Sequence, residues 1–296
     1  MSRQRKDDVD AVTTRLGDGT IAQVVASDVT TGYELIVDGT PQSHVDLDDP
    51  THLHFEYIAR MGAVIDQLRM PGQPITAVHL GAGAMTLPRY IEATRPGSRQ
   101  QVIELESALV DLVRGALPLP KGAAIRVRHG DAREVLGRLP AALHGAADLV
   151  VSDVFSGAQT PAHVTSLEFY REVSTFLAPD GADLLSPGGV LLVNVADGPG
   201  LAYARRQIAT LQAVLPNVAV LAEVQVLKGR RFGNLVLAAS QRPLPMEWLP
   251  RLMAAGPHPA KIATGREVDE LARGAAVVMD AAAVASPKPD TRLFER

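Results

Sequence analysis

Apolar and polar residues alternate in short runs near the start of the chain and follow a helical spacing soon after. Residues 19–46 contain β-rich runs broken by Thr-Gly and Asp38-Gly39 steps, which predicts a small antiparallel sheet with a hairpin turn. From about Leu53 to Arg69, apolar residues three and four positions apart indicate an amphipathic helix, and Pro71-Gly-Gln-Pro74 ends it. The chain is therefore predicted to open with a small β region and a linking helix.

From Ile75 onward, apolar strands alternate with helices, which is typical of a parallel sheet with right-handed crossovers. Thr165-Ser-Leu-Glu168 has the sequence of a capping box and predicts the start of a further helix. Two late apolar runs, 218–226 and 232–239, predict a terminal antiparallel hairpin. The other predicted strands are 75–80, 101–105, 124–128, 148–153 and 190–195, with helices near 85–95, 107–116, 131–138 and 200–214.

These patterns divide the chain into four regions. Residues 1–16 are mostly polar and are interpreted as a mobile tail, and residues 17–70 as the β-hairpin region with its linking helix. Residues 71–240 are predicted to form the main α/β domain. Residues 241–296 form a Pro- and Ala-rich C-terminal extension, to which the sequence assigns no function.

Composition narrows the class of protein. The chain has 296 residues, 46% of them hydrophobic, which suffices for one large α/β domain with a small appendage. A net charge of −4 provides no general attraction to nucleic acid or to an anionic membrane, so a small-molecule partner is favoured. There is no apolar window of membrane-spanning length and no signal-peptide pattern, so a cytoplasmic location is expected. The lack of cysteine excludes disulfides, thiolate nucleophiles and Cys-ligated zinc.

Three predicted strand ends carry residues suited to a nucleotide-like ligand. Gly81-Ala-Gly83 lies between a strand and a helix, where glycine lets the backbone approach a ligand. Glu104 ends the second strand about 20 residues later, where a carboxylate can accept both hydroxyl protons of a ribose. Asp153 ends an apolar strand. Because parallel strands place their carboxyl ends side by side, we predict that these residues line one crevice.

Polar residues outside these strand ends have more than one interpretation. The carboxylate of Asp131, in Gly130-Asp131-Ala132, can accept a hydrogen bond from an exocyclic amine such as that of adenine, or it can cap the following helix; the two roles are compatible. Asp153 is interpreted as functional because a buried, unpaired carboxylate is costly. His52 and His54 have no third ligand near them in sequence, so no metal site is predicted.

Six segments in the same order resemble spermidine synthase and its relatives in the S-adenosylmethionine-dependent transferase superfamily. The resemblance covers roughly residues 33–240 and implies a Rossmann-like methyltransferase fold, with a seven-stranded, mostly parallel sheet, a terminal antiparallel hairpin and a small N-terminal antiparallel sheet. The segments are Leu35-Ile-Val-Asp-Gly-Thr-Pro-Gln42, Gly81-Ala-Gly83, Val102-Ile-Glu-Leu-Glu106, Gly130-Asp-Ala132, Asp153 and Phe232-Gly-Asn-Leu-Val-Leu-Ala-Ala-Ser240. The residues thereby implied to bind S-adenosylmethionine or its decarboxylated form are Gln42, Gly81, Gly83, Glu104, Asp131, Ala132 and Asp153.

Two departures from that family bear on the chemistry. The aminopropyltransferases of the family carry one Asp directly after the last aligned Gly of the turn and a second Asp in the active-site loop. Here these positions are Ala84 and Ser156. Each lost charge-assisted hydrogen bond forfeits about 1.5–3 kcal/mol, so polyamine synthesis should be impaired. Methyl transfer depends more on in-line positioning of donor and acceptor than on acid-base groups.

The sequence therefore predicts a transferase that moves a methyl group to a small-molecule acceptor. Asp153 would orient the donor or the acceptor, and His54 and His163 are candidate bases because imidazole titrates near neutrality. His54 aligns with the family's active-site Tyr, and Tyr57 lies nearby but out of register.

Two alternatives stay open. The first is a true aminopropyltransferase in which neighbours such as Glu56 or Asp197 replace the missing acids. The second is a non-catalytic protein that keeps the fold and binds a nucleoside or acts as a scaffold. In each case no nucleic-acid or membrane partner is expected, and the resemblance implies a homodimer formed through the N-terminal sheet.

Overall fold

The computed structural model describes residues 11–179, 188–244, 249–255 and 259–288. Its N-terminal part is a four-stranded antiparallel sheet whose strands are neighbours in chain order. Asp38 and Gly39 both have positive φ at the last turn of this sheet, as the predicted tight hairpin requires. The strands are β1 (Val12–Arg15), β2 (Ile21–Ala26), β3 (Tyr33–Val37) and β4 (Thr40–Val45).

The predicted tail does not extend to residue 16. Residues 12–15 form β1, which pairs with β2 from Val12 opposite Val24 to Arg15 opposite Ile21. The run Val12-Thr-Thr-Arg15 contains a single apolar residue, so its own sequence predicts no strand, and pairing with β2 decides its conformation. Residues 1–10, the rest of the predicted tail, lie outside the described residues.

The second sheet has eight strands: β5 (Thr76–Leu80), β6 (Arg99–Glu104), β7 (Ala124–His129), β8 (Leu149–Ser152), β9 (Val190–Asp197), β10 (Asn217–Ala222), β11 (Gly233–Ser240) and β12 (Lys261–Thr264). Their order across the sheet is β12-β10-β11-β9-β8-β5-β6-β7. The five strands from β9 to β7 run parallel, and β11 is antiparallel to both β9 and β10. The predicted seven-stranded sheet with its antiparallel pair is confirmed. The predicted strand run 218–226 is too long, since the strand ends at Ala222 and a short helix, Val224–Leu227, follows it. The C-terminal extension adds β12 as an eighth, antiparallel edge strand.

The helices follow the predicted alternation with shifted ends. They are α1 (Glu56–Ile65), α2 (Thr86–Thr94), α3 (Ser107–Ala116), α4 (Ala132–Leu136), α5 (Leu167–Ser174), α6 (Ala202–Gln212), α7 (Val224–Leu227), α8 (Leu249–Ala255) and α9 (Arg266–Ala272). The cap of α5 is Ser166 rather than Thr165, since the Ser166 hydroxyl accepts from the N–H of Phe169 at 3.1 Å. Among the described residues, no helix is both long and apolar enough to cross a membrane.

Apolar clusters cover both faces of the large sheet. Neighbouring strand residues alternate between them: Ala77 packs with α1 and α2, whereas Val78 packs with α4, α5 and α6. A third cluster joins α3 to the N-terminal sheet through Leu112, Val24 and Leu35. This third cluster brings β4 next to the carboxyl end of β5, where the glycine turn begins.

Candidate functional site

The strand order reverses between β5 and β8, where the crevice is predicted. The Gly81 N–H donates to Ile103 O on β6 at 2.9 Å, and the Asp153 N–H donates to Leu80 O on β5 at 2.9 Å. The turn after β5, Glu104 at the end of β6 and Asp153 after β8 therefore meet at one edge of the sheet, as the sequence predicts.

The glycine turn has no room for side chains. Gly81 has a φ of +91°, and a Cβ there would collide with the backbone oxygen of Asp153. Gly83 has a φ of +48°, and a Cβ there would lie 2.5 Å from Ser43 Oγ on β4. Met85, which precedes α2, also has a positive φ of 58°, a strained conformation for a residue with a side chain. Strain of this kind concentrates at functional sites, which supports a role for the turn.

The side chain of Glu104 is fixed next to the glycine turn. Its carboxylate accepts hydrogen bonds from the N–H groups of Ala82 at 2.9 Å and Glu106 at 3.0 Å. A carboxylate offers about four lone-pair positions, so both oxygens keep acceptor capacity for a ligand. Leu105, the next residue, is 60% exposed and supplies an apolar surface at this end of β6.

Asp131 performs the capping role that its sequence allows. One oxygen accepts from the N–H groups of Arg133 at 2.9 Å and Glu134 at 3.1 Å, which starts α4. The other lies 2.7 Å from His163 Nε2. Partial burial raises the pKa of Asp131, but the hydrogen bonds from Glu134, His163 and Arg133 outweigh burial and lower it overall. The structure thus brings two predicted site residues, Asp131 and His163, into direct contact.

Asp153 lies at the centre of a polar network that the sequence did not reveal. Its carboxylate accepts from Asn194 Nδ2 at 2.8 Å and from the hydroxyl of Tyr57. Asn194 Oδ1 in turn accepts from Asn234 Nδ2 at 3.0 Å. Burial raises the pKa of Asp153 to about 6, and these hydrogen bonds only partly offset that rise. Burial and the neighbouring carboxylate also hold the pKa of Tyr57 well above its usual value.

Of the network residues that the sequence analysis missed, only Asn194 could have been recognised from the sequence. Asn194 is a polar residue in the interior of strand β9, whose residues are all buried, and such a residue needs a polar partner. Tyr57 could not be placed, because its partner Asp153 lies 96 residues later in the chain.

His54 belongs to a cluster of three imidazoles. Its ring centroid lies 5.0 Å from that of His44 and 6.4 Å from that of His52. His44 is buried, and its Nε2–H donates to Thr31 O at 2.6 Å. Burial, together with the neighbouring imidazoles, lowers the pKa of His44. Within the described ranges, no group of three or more His, Cys, Asp and Glu side chains is arranged to hold a metal ion.

The β4 residue Gln42 occupies a β-bulge. Leu35 pairs with Ser43 and Ile36 pairs with Pro41, so Gln42 is the extra residue between them. A bulge leaves one residue outside the ladder and changes the direction of its side chain. The Oγ of Ser43, the next residue, accepts from the Ala84 N–H at 3.2 Å, which links β4 to the glycine turn.

A solved structure matches nearly the whole chain. It is a probable spermidine synthase from Corynebacterium glutamicum, 30% identical, with a TM-score of 0.80 over 91% of this chain and 96% of that one. The chain belongs to the spermidine synthase-like family. No protein-family model matches it.

Further matches are shorter or more distant. Polyamine aminopropyltransferases from two strains of Neisseria meningitidis are 27% identical over 144 residues, which is 48% of this chain. The chain spans about half the length of these curated relatives, 52%. Human methyltransferase-like protein 13 is 19% identical, with a TM-score of 0.50 over 65% of this chain and 85% of that one, and shares the fold.

The two positions that depart from the aminopropyltransferases have different surroundings. Ala84 is 1% exposed and packs with Leu16, Val24 and Leu109 in the apolar cluster between α3 and the N-terminal sheet. Ser156 is exposed, in a short turn closed by its N–H donating to Gln159 O at 2.9 Å. An acid is therefore excluded at position 84 by packing, whereas position 156 has room for one.

This difference in surroundings predicts different effects of the two Asp substitutions on stability. We expect Ala84→Asp to lower the free energy of unfolding by about 2–4 kcal/mol, because it buries a polar group without a partner. Ser156→Asp, the matched control, should change it by less than about 0.5 kcal/mol. Urea denaturation at pH 7 measures both. An Ala84→Asp variant as stable as the wild type would show that the side chain at position 84 can reach solvent at the crevice.

Proposed function

We propose that the chain is an S-adenosylmethionine-dependent transferase that moves a methyl group to a small-molecule acceptor. The observation that carries this proposal is the pattern of acids in the crevice. Glu104, Asp131 and Asp153 are all present at its edge, whereas position 84 is an apolar residue packed in the core. The crevice thus keeps the groups expected to hold a nucleoside and lacks one that the aminopropyltransferases use for the cationic chain.

The donor would lie across the carboxyl ends of β5, β6 and β7. Glu104 would accept the ribose hydroxyl protons, and Leu105 would offer an apolar surface to the base. Asp131 and Ala132 would face the base edge, and Gln42 would approach from the bulge of β4. The human neighbour's structure is of a complex with SAH, which supports a ligand of this class.

Asp153 would take part in the transfer step. Attack by an acceptor X–H on the donor methyl forms the X–C bond and breaks the C–S bond, whose electron pair returns to sulfur. The proton of X–H must leave, and a carboxylate whose pKa is about 6 is close enough to neutral pH to accept it. Hydrogen bonds from Tyr57 and Asn194 fix the position of Asp153, which favours a near-attack geometry.

Aminopropyl transfer is the second candidate, because the Corynebacterium and Neisseria relatives carry names of that activity. The two acids considered as substitutes already have partners. Asp197 accepts from the N–H groups of Gly198 at 2.7 Å and Ala204 at 2.8 Å. Glu56 pairs with Arg60 at 2.8 Å. These contacts give both acids structural roles, so the preference for methyl transfer rests on the acid that is missing at position 84.

Donor preference tests the proposal directly. Calorimetric titration with S-adenosylmethionine, its decarboxylated form and methylthioadenosine should show preference for the carboxylate-bearing donor. Preference for the decarboxylated form would support aminopropyl transfer instead, and absence of binding by all three would favour a non-catalytic protein.

The proposed contact between Glu104 and the ribose of the donor can be tested separately. We expect Glu104→Gln to weaken donor binding by about 10- to 100-fold, since hydrogen bonds from ribose hydroxyls to a charged acceptor are lost. Asp111→Asn, an exposed acid on α3, is the matched control and should bind like the wild type. If Glu104→Gln and the wild type bind the donor equally well, Glu104 does not contact the donor.

A further inference from the structure

In the described part of the C-terminal extension, residues 277–288 lie against the loop that follows Asp153. Residues 277–288, here called the C-terminal strap, follow α9 and contain one short 3-10 turn, Asp280–Ala282. Two members of the strap, Val278 and Ser286, are buried, and Ser286 is 0% exposed. Most of the strap's polar contacts are with the loop between β8 and α5, residues 153–166, and with the start of α5.

The strap holds the first half of that loop through Ser286. The Ser286 hydroxyl accepts from the Thr160 N–H at 2.8 Å, and the Ser286 N–H donates to Thr160 O at 3.0 Å. The amide of Gln159 donates to Ser286 O. Thr160 is also buried, so these bonds lie away from water, where an unmade hydrogen bond is costly. The strap and the loop therefore pair as two short extended segments.

A second anchor lies at the end of the loop, where α5 begins. Val278 O accepts from the Leu167 N–H at 2.7 Å, at the start of α5. The carboxylate of Asp280 accepts from the Ser166 hydroxyl and pairs with Arg133 at 2.7 Å and 3.0 Å. These bonds to Arg133 and Ser166 lower the pKa of Asp280. The loop is thus fixed on both sides of Pro161-Ala-His163.

Arg133 connects this anchor to the predicted base end of the crevice. Its guanidinium also donates to His163 O at 3.1 Å, and its backbone N–H donates to the capping carboxylate of Asp131 at 2.9 Å. His163 Nε2 lies 2.7 Å from the second oxygen of Asp131. The position of His163 therefore depends on two neighbours, Asp131 and Arg133, and Arg133 is paired with the strap.

We propose that the C-terminal strap is a positioning element of the transferase site, with Asp280 and Ser286 as its positioning residues. It clamps the β8–α5 loop on both sides of Pro161-Ala-His163, at residues 159–160 and 166–167, and so holds His163 against Asp131. This inference rests on the proposed function for its role in ligand binding. The clamp itself is a property of the fold and can be tested separately.

Hydrogen exchange in the full-length protein tests the clamp. Asp280→Asn should speed amide exchange in residues 156–166 by about tenfold, and Ser286→Ala by about fivefold, because the first removes the ion pair with Arg133 and the second removes the acceptor of the Thr160 N–H. Exchange in α2, remote from the strap, should not change. The matched controls are Asp269→Asn, an exposed acid on α9, and Ser174→Ala, whose hydroxyl bonds only within its own turn at Arg171 O. Both controls should leave loop exchange unchanged.

Ligand binding tests whether the clamp contributes to the proposed site. The affinity for methylthioadenosine should fall by about five- to tenfold in Asp280→Asn, with melting temperatures close to that of the wild type. Unchanged loop exchange in both strap variants would overturn the clamp. Faster exchange with unchanged methylthioadenosine affinity would overturn its role at the site. If the wild-type protein binds no methylthioadenosine, the proposed function fails, and the exchange result still decides whether the strap holds the loop.

Discussion

Replacing Asp153 with Asn is expected to lower the rate of group transfer by about 10²- to 10⁴-fold, the range typical for loss of a general base. Asn keeps the size of the side chain and can still accept from Tyr57 or Asn194, so the network stays in place. Steady-state assays with the acceptor found by screening measure the effect. Tyr57→Phe should lose about tenfold, since it removes one hydrogen bond to the carboxylate and leaves the base present.

Asp153→Asn is also expected to change the pH dependence of stability, which can be measured without an acceptor. Burial raises the pKa of Asp153 from 3.8 to about 6, so the folded protein holds this proton more tightly than the unfolded chain does. The buried carboxylate therefore lowers stability above pH 6 and has no such effect below pH 4. Asp153→Asn should be at least as stable as the wild type at pH 7, with the difference shrinking as the pH falls. Denaturant unfolding at pH 4 and pH 7 measures this.

The pH dependence of the reaction separates Asp153 from the imidazoles. The rise of kcat/KM with pH reports the free protein, so its acid limb should lie near pH 6. A bound sulfonium cation favours the charged carboxylate, so the limb of kcat should lie lower. Both limbs should vanish in Asp153→Asn. An acid limb that persists in this variant would contradict the assignment and direct attention to His163.

The sequence predicts best the parts of the site that follow from strand order. Gly81, Glu104 and Asp153 each end a strand or follow one directly, and the carboxyl ends of parallel strands must share an edge. No information about side-chain direction is needed for that inference. The same reasoning cannot place Tyr57, because this residue lies in the first turn of α1 rather than at a strand end, and its contact with Asp153 joins residues 96 positions apart.

Other parts of the site depend on contacts distant in sequence. Asp131 reads as a helix cap and is one, but its pairing with His163 joins residues 32 positions apart. Ser286 stands in a Pro- and Ala-rich stretch without periodicity, and its function in the fold comes from contacts with Thr160 and Gln159, 126 and 127 residues earlier. Local patterns report local structure, so segments stabilised only by long-range hydrogen bonds have no pattern to read.

Arg95 is expected to contribute the largest single stabilisation, and Arg95→Met should lower the free energy of unfolding by about 3–5 kcal/mol. Its side chain is about 1% exposed, and its guanidinium donates to five backbone carbonyls at 3.0–3.3 Å. These carbonyls belong to Ile65, Asp66, Arg69, Met70 and Gln73, at the end of α1 and in the segment after it. Met fills similar space and leaves these acceptors with one donor fewer each.

Thermal and urea unfolding of Arg95→Met measure the effect, which corresponds to roughly 10 °C in Tm for a chain of this size. Arg99→Met, at an exposed position at the start of β6, is the matched control and should change stability by less than about 0.5 kcal/mol. Arg95→Lys should fall between them, because an ammonium has three donors and no planar fork. Equal stability of Arg95→Met and wild type would show that the carbonyls find other donors. Since α1 carries Tyr57 in its first turn, loosening its far end should also weaken the Tyr57–Asp153 contact and lower the transfer rate.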